Sequence, residues 1–397
     1  MEASPLSLDL LLEISARCDP ATVARCGVTC KLLRRHVTDP AFLRRVRAVS
    51  FSNRFLVVLL YHRIYISDRD GNRITRRQPL FAAPKSSPSS AAIVARLSAE
   101  LAGPSDADPV ASRGGLLLLR SGRRHPTSLH VYDPVAGRRS HVLPRREVAG
   151  HLHVLMPESD DKGGGGGVPA FKVLVADRGL RTQTYSSRAG AWGPVVTGTT
   201  AAHVPWNYEQ VQPSQVMLGG VAHWLYRQGL TGRLYSVLAL DIGTGQAAWI
   251  EVPEDCHRRR REAIAGEAPR ELLLASSAGG ELALLVWERP LAVCMWTRTM
   301  ASSSAGRSWA RRVVIDRTAI LRSVQPACNP LACQRVELLW FAEGSGTVVF
   351  HLNAAGTALL NPHTLEVRHI QRSGLEPFEF SPFCVYDLDL ASLLPSR

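Results

Sequence analysis

Residue types that could support catalysis or bind a metal occur in this sequence, but they are scattered. His151 and His153 alternate as on one face of a strand, which suits a metal-binding pair, yet no third ligand is apparent. Neither a Gly-x-Ser-x-Gly elbow nor a His-Glu-x-x-His motif occurs. The carboxylates Glu251, Glu288 and Glu343 each follow an apolar run, and their spacing does not group them. This pattern predicts a binding protein without cofactor, metal or catalytic residues.

The eight cysteines predict reduced thiols and no zinc site. No Cys-x-x-Cys pair is present, and no histidine lies at zinc-finger spacing. Cys26 and Cys30 lie one helical turn apart and are expected to be core residues, while Cys328 and Cys333 flank a Pro-containing loop. We therefore expect a cytoplasmic and/or nuclear protein.

The formal net charge of +13 raises the question of nucleic-acid binding, which we do not expect. Of the 47 basic residues only four are lysine, and the arginines are spread along the chain. The one dense run, residues 258–261, suits a nuclear-import or phosphate patch, or a solvated loop, which we favour. No apolar run reaches the roughly 18 residues of a membrane span, so no membrane association is expected.

The first 48 residues carry helical signals. Asp19-Pro20 and Asp39-Pro40 each place a capping acid before a proline that suits a first helical position. The apolar spacing predicts helices over residues 8–17, 20–37 and 40–47. Such short helices are marginal alone and need a partner surface. That surface belongs either to another protein or to the rest of the chain, for which the helices would be a cap.

From residue 51 onward, short apolar runs separated by Gly, Pro, Asp and Ser predict β-strands. Six runs recur at intervals of about 50–65 residues, each followed by a turn signal. They are residues 55–61, 115–119, 171–176, 221–226, 282–287 and 347–352. The segment 383–394 begins like a strand and is predicted to complete the first unit.

This repeat predicts an α+β multidomain protein: a small three-helix domain at residues 1–48 and an all-β, propeller-like domain at residues 49–397. About six kelch-like blades are expected. Five or seven blades, and a pair of two-sheet β-sandwiches, are alternatives. Residues 82–109, rich in Pro, Ser and Ala, and residues 158–167, which end in five glycines, are predicted to be loops.

The loops of a propeller form a rigid face that suits recognition of a protein or peptide. Aromatic side chains there would be anchors for a partner, or alternatively members of the blade cores. The candidates are Trp206, Tyr208, Trp224, Tyr226, Trp296 and Trp340.

The helical stretch resembles a known motif. Leu6-Ser7 stands at that family's Leu-Pro position, followed by the run LDLLLEI, and Arg17-Cys18 stands at its Arg-Leu pair. Thr29-Cys30-Lys31 stands at its Val-Cys-Lys, Leu33 replaces its tryptophan, and the trailing Asp39-Pro40-Ala41-Phe42 is typical. On these residues the stretch resembles an F-box, which docks a substrate receptor onto the Skp adaptor of a Skp–cullin–F-box ubiquitin ligase.

The β region has a second resemblance, to the C-terminal region of plant F-box proteins, particularly those of grasses. Its signature is the run of four leucines after Gly115, then Val131-Tyr132-Asp133-Pro134, then Gly137-Arg138-Arg139, then Leu143-Pro144.

Together these resemblances imply a non-catalytic substrate-recognition subunit of the ligase. Its F-box would bind the Skp adaptor and, through it, cullin, while the propeller would bind a target protein. The resemblance implies adaptor contact through apolar burial at nine residues: Leu6, Leu8, Leu11, Leu12, Ile14, Val23, Cys30, Lys31 and Leu33. Two alternatives are an F-box protein acting outside the ligase, and a propeller enzyme or carbohydrate binder with a helical cap.

Overall fold

The computed structural model describes most of the chain, in segments. These are residues 6–18, 23, 26–27, 30–37, 39, 42, 55–67, 73–82, 88–101, 107–121, 128–158, 168–198, 203–211, 215–228, 234–258, 272–277, 279–288, 292–299, 308–324, 336–352, 356–362, 364–369 and 380–388. Within them, a small helical unit precedes a closed ring of antiparallel sheets.

Helix α1 (Leu8–Arg17) has the predicted bounds. Ser7, which stands where the F-box family has proline, is its N-cap: the Ser7 side chain accepts a hydrogen bond from the backbone N–H of Leu10 at 3.4 Å. Asp9 in the first turn also favours the helix, because its charge complements the partial positive charge of the helix start.

The prediction of one continuous helix over residues 20–37 is wrong at Cys30. Val23 and residues 26–27 are helical, but a separate helix α2 begins after Cys30 and covers Lys31–Val37. Cys30 caps it, since its sulfur accepts from the N–H of Leu33 at 3.5 Å, and Cys30 is exposed instead of lying in the core. Of the predicted third helix, Phe42 is helical, and residues 40–41 and 43–47 lie outside the described residues.

The helical unit has its own apolar core. Ala16, Val23, Leu33, Val37 and Phe42 are buried together. Leu8, Leu11 and Leu12 of α1 pack against that core and are partly buried.

In the described residues, the β region consists of a hairpin, five blades and a final strand. The hairpin is β1 (Phe55–Ser67) and β2 (Arg73–Ala82). Blade 1 contains β3 (Asp108–Arg113), β4 (Leu116–Ser121), β5 (Ser128–Asp133) and β6 (Arg138–Arg139). Blade 2 contains β7 (Leu152–Pro157), β8 (Phe171–Ala176), β9 (Arg181–Ser186), β10 (Ala191–Trp192) and β11 (Val196–Thr197).

The remaining blades follow the same antiparallel plan. Blade 3 contains β12 (Tyr208–Gln210), β13 (Val216–Leu218), β14 (Val221–Gln228), β15 (Leu234–Asp241) and β16 (Ala247–Glu251). Blade 4 contains β17 (Leu272–Ser276), β18 (Leu282–Glu288), β19 (Ala292–Thr299) and β20 (Ser308–Ile315). Blade 5 contains β21 (Val336–Ala342), β22 (Thr347–Leu352), β23 (Gly356–Leu360) and β24 (Val367–His369).

The final strand closes the ring. Strand β25 (Phe380–Leu388) pairs with β1, so both ends of the β region share one three-stranded sheet, as the closing segment predicted. Tyr386 of β25 donates from its hydroxyl to the carbonyl of Gly115 in blade 1 at 3.0 Å. Asp387 accepts from the backbone N–H of Ser345 in blade 5 at 2.5 Å. The expectation of about six blades is wrong: five blades stand beside this three-stranded closing sheet.

Neighbouring sheets meet through their first strands. Strand β3 contacts β7, β17 contacts β21, and β25 contacts both β21 and β3. Leu152 and Val154 of blade 2 pack against Ala222 and Trp224 of blade 3. Strands β13 and β14 of blade 3 contact β17 of blade 4. Buried apolar clusters fill the junctions, so the sheets form a propeller-like ring instead of two-sheet sandwiches.

The first strand of each blade begins on one face of the ring, which also carries the loops between blades; we call it the loop face. The opposite turn face carries the turn from each first strand to the second.

Glu343 on the turn face links three blades: its carboxylate accepts from Arg113 of blade 1 at 3.0 and 3.2 Å and from the N–H of Met217 in blade 3 at 3.1 Å.

Residues 82–109 were predicted to be a loop, and this is wrong for helix α3 (Pro88–Leu101). Ile93, Leu97 and Leu101 recur every four residues and are buried against blade 1 and β25. Arg96 donates to the carbonyl of Pro134 at 3.2 Å, and Glu100 accepts from His130 at 3.2 Å.

Two more helices are α4 (Asp255–Arg258) and α5 (Arg317–Val324). No helix among the described residues is long and apolar enough to cross a membrane.

Candidate functional site

Helix α1 is apolar on two sides, and its own unit covers only one of them. Leu6, just before the helix, and Leu10 and Ile14 within it are 57%, 52% and 49% exposed. Leu10 and Ile14 lie one helical turn apart on one side of the helix, and Leu6 lies just before the N-cap Ser7; we call these three residues the α1 stripe. The other side packs on the core of the helical unit. The α1 stripe is therefore apolar surface that the described part of the chain leaves in solvent.

Exposed apolar side chains are concentrated in the helical unit. Ten large hydrophobic residues are exposed in the described structure, and four of them belong to this short segment: the three of the α1 stripe and Leu32, which is 55% exposed on α2. Helix α2 packs against α1. Scattered apolar residues are ordinary on protein surfaces, whereas a concentration of them marks an interaction site.

The nine residues predicted to contact an adaptor divide into three groups. Leu6, Ile14, Cys30 and Lys31 are exposed, and Leu8, Leu11 and Leu12 are partly buried. Val23 and Leu33 are only 1% and 6% exposed, so in this structure they hold the helices together and present little surface.

Leu10 and Leu32 are exposed but were not among the nine. The four-residue spacing of Leu6, Leu10 and Ile14 is the signal that could have identified Leu10.

Most of the aromatic candidates of the propeller belong to its cores. Trp224 and Tyr226 are 0% exposed, and Trp296 and Trp340 are buried. Tyr208 is partly buried, with its ring centroid 5.3 Å from that of Trp249. For these residues the alternative stated above, membership of the blade cores, is the one that the structure shows.

Trp206 is the exception, because 88% of it is exposed. It lies in the loop between β11 and β12, on the loop face, and Arg178 in the β8–β9 turn fixes this loop. The N–H of Val204 donates to the carbonyl of Arg178 at 2.8 Å, and the Arg178 guanidinium donates to the carbonyl of Pro205 at 3.3 Å. The same guanidinium lies 4.9 Å from the centroid of the Trp206 ring.

Two polar atoms near Arg178 lack a hydrogen-bond partner within the described structure. They are Nε2 of His151, at the start of blade 2, and the hydroxyl of Tyr226 in blade 3. Burial and the charge of Arg178 lower the pKa of His151, which favours its neutral form. Burial raises the pKa of Tyr226, and the charge of Arg178 opposes that rise, so both groups lie within the field of this arginine.

His151 and His153 do not form a metal site in the described structure. His153 is 7% exposed, and its pKa is lowered to about 3 by burial and by the nearby charges of Arg146 and Arg120. Those cations would also repel a metal ion. Among the described residues, no group of three or more His, Cys, Asp or Glu side chains is placed to hold one.

The carboxylates considered in the sequence have different roles. Glu343 bridges blades, as described above, and Glu288 forms a bidentate pair with Arg311 at 3.0 and 2.6 Å. Glu251 is exposed on β16. Of the basic run, Arg258 ends α4, and residues 259–261 lie outside the described residues, as do Cys328 and Cys333.

The buried thiols of the propeller are poor nucleophiles. Burial raises the pKa of Cys256 to about 12 and that of Cys294 to about 11. Since the thiolate is the reactive form, such thiols remain protonated near neutral pH.

Comparison with protein families gives two matches. The F-box domain matches residues 4–45, and the family described as "Domain of unknown function (DUF7595)" matches residues 76–396. A comparison with curated proteins gave no match. The F-box prediction at the N-terminus is thereby confirmed.

Several solved structures are similar in part. The WD40 domain of SCAP from fission yeast is 11% identical with a TM-score of 0.33, and the alignment covers 68% of this chain and 53% of that one. A puromycin-hydrolyzing peptidase of Mycobacterium tuberculosis is 14% identical, with a TM-score of 0.34 and coverage of 73% and 40%. The Bacteroides ovatus protein titled "Xyloglucan PUL GH43B" is 14% identical, with a TM-score of 0.27 and coverage of 64% and 52%. The chain spans about half, or less, of the length of each, and TM-scores this low carry no functional argument.

Proposed function

This chain belongs to the DUF7595 family and carries an F-box at its N-terminus, and from this combination we propose that it is a substrate-recognition subunit of a Skp–cullin–F-box ubiquitin ligase. F-box domains generally bind Skp adaptors. In this proposal residues 1–48 dock the adaptor, and through it cullin, while residues 49–397 bind a target protein. The subunit acts in the cytoplasm and/or nucleus and carries out no bond chemistry.

The observation that carries the proposal is the α1 stripe. Leu6, Leu10 and Ile14 each leave about half of the side chain in water. Full burial of such a side chain contributes about 1.5–3 kcal/mol, so covering the exposed half contributes about 1 kcal/mol for each of the three. A partner with an apolar groove would recover this free energy.

The contact set follows from exposure. Leu6, Leu10, Ile14 and Leu32 supply apolar contacts, and the exposed Cys30 and Lys31 lie beside them at the start of α2. Leu8, Leu11 and Leu12 contribute the surface they still expose. Val23 and Leu33 act indirectly, by fixing the angle between the helices.

The propeller contributes position. A target held on one face of a rigid ring stays close to a conjugating enzyme carried by the same ligase, so transfer of ubiquitin becomes effectively intramolecular. The receptor then needs selective binding and no catalytic group of its own.

The double variant Leu10→Asp, Ile14→Asp tests this proposal against a plant Skp adaptor, the choice that the resemblance to grass F-box proteins suggests. Both side chains are half exposed, so the fold should tolerate the change, whereas two carboxylates in an apolar groove should weaken adaptor binding by at least about 100-fold. The matched control is Leu234→Asp, at a 56% exposed leucine of blade 3. Adaptor binding by the double variant equal to that of the control would refute the proposed docking surface.

A further inference from the structure

We infer that the loop face carries a binding site for a carboxylate-bearing segment of a target protein, built from Arg178, His151, Tyr226 and Trp206. We call it the Trp206–Arg178 junction. The inference rests on the proposed function only in calling the bound protein a ligase target. It differs from that proposal because it names the location on the ring and the chemistry that is recognised.

The first observation is unmet hydrogen-bonding capacity. Tyr226 is 0% exposed, and its hydroxyl has no hydrogen-bond partner in the described structure; Nε2 of His151 is in the same situation. A buried polar atom without a partner costs free energy, commonly about 1–3 kcal/mol. A carboxylate oxygen accepts from a tyrosine hydroxyl and from a neutral imidazole whose Nε2 carries the hydrogen, so it matches both groups.

The second observation is charge. A guanidinium has five N–H donors, and the hydrogen bonds described for Arg178 use one of them, to the carbonyl of Pro205. The adjacent Asp177 is engaged by Arg181 at 2.7 Å. Arg146, which acts on His153 deeper in blade 2, adds positive potential on the same side, whereas Arg120 is paired with Asp108 at 3.7 Å. The junction therefore attracts an anion, and Arg178 suits bidentate binding of a carboxylate.

The third observation is the exposed tryptophan. Trp206 is 88% exposed, and its loop is held to Arg178 through the carbonyl groups of Arg178 and Pro205. Tryptophan is among the residue types enriched at binding hot spots, together with tyrosine and arginine. Its uncovered ring can pack on an apolar side chain next to the bound carboxylate. The preferred ligand is therefore an acidic residue beside an apolar one in an extended peptide.

Selection from a displayed library of random, unphosphorylated peptides on immobilised full-length protein tests this inference. We expect the recovered peptides to carry Asp or Glu beside an apolar residue, and their affinity to fall as salt rises. Arg178→Gln and Trp206→Ala should each weaken the best peptide by about tenfold or more. The matched controls are Arg322→Gln, an exposed arginine of α5, and Val313→Ala, a 54% exposed valine of β20.

Two results would overturn the inference. One is a selection that recovers no peptides, or recovers peptides without a preference for acidic residues. A site that requires phosphate would give this same result. The other is equal binding of the best peptide by Arg178→Gln, Trp206→Ala and the controls. The selection contains no adaptor, and adaptor binding is measured separately on the same preparation. A failure of the junction is thus distinguishable from a failure of the ligase proposal.

Discussion

Acidification should destabilise the propeller to an extent that depends on His153. This imidazole is 7% exposed, and burial with the charges of Arg146 and Arg120 lowers its pKa to about 3. In the unfolded chain the pKa returns to about 6.5. Because the folded value is the lower one, the unfolded chain takes up the proton first. Above about pH 6.5 this group therefore does not reduce the free energy of unfolding, and the free energy of unfolding falls as the pH falls from 6.5 toward 3.

The magnitude follows from these two values. Each pH unit well below 6.5 costs about 1.4 kcal/mol for one such group, so between pH 7 and pH 5 His153 alone should reduce the free energy of unfolding by about 2 kcal/mol. His130 and His223 are also buried, and desolvation lowers the pKa of each. They should therefore add to the loss in the same direction.

Urea unfolding followed by tryptophan fluorescence at pH 7 and at pH 5 measures this loss. The variant His153→Gln cannot titrate at this position, so its loss between the two pH values should be smaller than that of the wild type by about 2 kcal/mol, whatever its stability at pH 7. His141→Gln, the same substitution at an exposed histidine, is the matched control. An equal loss in His153→Gln and the wild type would show that His153 does not carry this pH dependence.

Two further predictions concern closure of the ring. Glu343→Ala should lower the free energy of unfolding by about 1–3 kcal/mol, because Arg113 and the N–H of Met217 lose their acceptor. Urea unfolding measures this loss, and an unchanged free energy of unfolding would contradict the role of Glu343 in linking the blades. Tyr386→Phe should lower the free energy of unfolding by about 1 kcal/mol, because it removes the hydrogen bond to Gly115. The melting temperature should fall accordingly, and an unchanged melting temperature would contradict that hydrogen bond.

One inner strand of each sheet could be predicted from the sequence for a clear physical reason. Each of the six apolar runs is an inner strand, one place from an edge in the order of its sheet, and in the blades this strand is buried nearly along its whole length, as in β18. Burial on both faces requires a continuous apolar run, which is easily recognised. The bounds of Phe171–Ala176 and Thr347–Leu352 were therefore predicted correctly.

Counting these runs could not give the number of blades. The run that begins at Phe55 resembles the others, but its sheet is completed by β25 from the far end of the chain and has only three strands. Helix α3 was missed because its Ser- and Ala-rich start resembles a linker, although Ile93, Leu97 and Leu101 recur every four residues. The break at Cys30 depends on a capping bond from the sulfur, which apolar periodicity does not show.

The α1 stripe and the Trp206–Arg178 junction were only partly predictable, because the exposure of a side chain depends on packing that the sequence does not show. An apolar helix can be recognised from its composition, but which of its sides is covered depends on packing with residues such as Val37 and Phe42. Trp206 and Trp224 have the same residue type, yet one is 88% exposed and the other 0%. The difference comes from their places in an interblade loop and in an inner strand.

The most direct test of adaptor docking by the α1 stripe is formation of the complex with the adaptor. The purified full-length chain is mixed with a purified plant Skp adaptor and analysed by size-exclusion chromatography with light scattering, beside the Leu10→Asp, Ile14→Asp variant. If the α1 stripe docks the adaptor, the wild type forms a complex with one copy of each protein and the variant elutes separately from the adaptor. Separate elution of the wild-type chain and the adaptor at concentrations of about 10 μM would contradict the claim that the α1 stripe is an adaptor-docking surface.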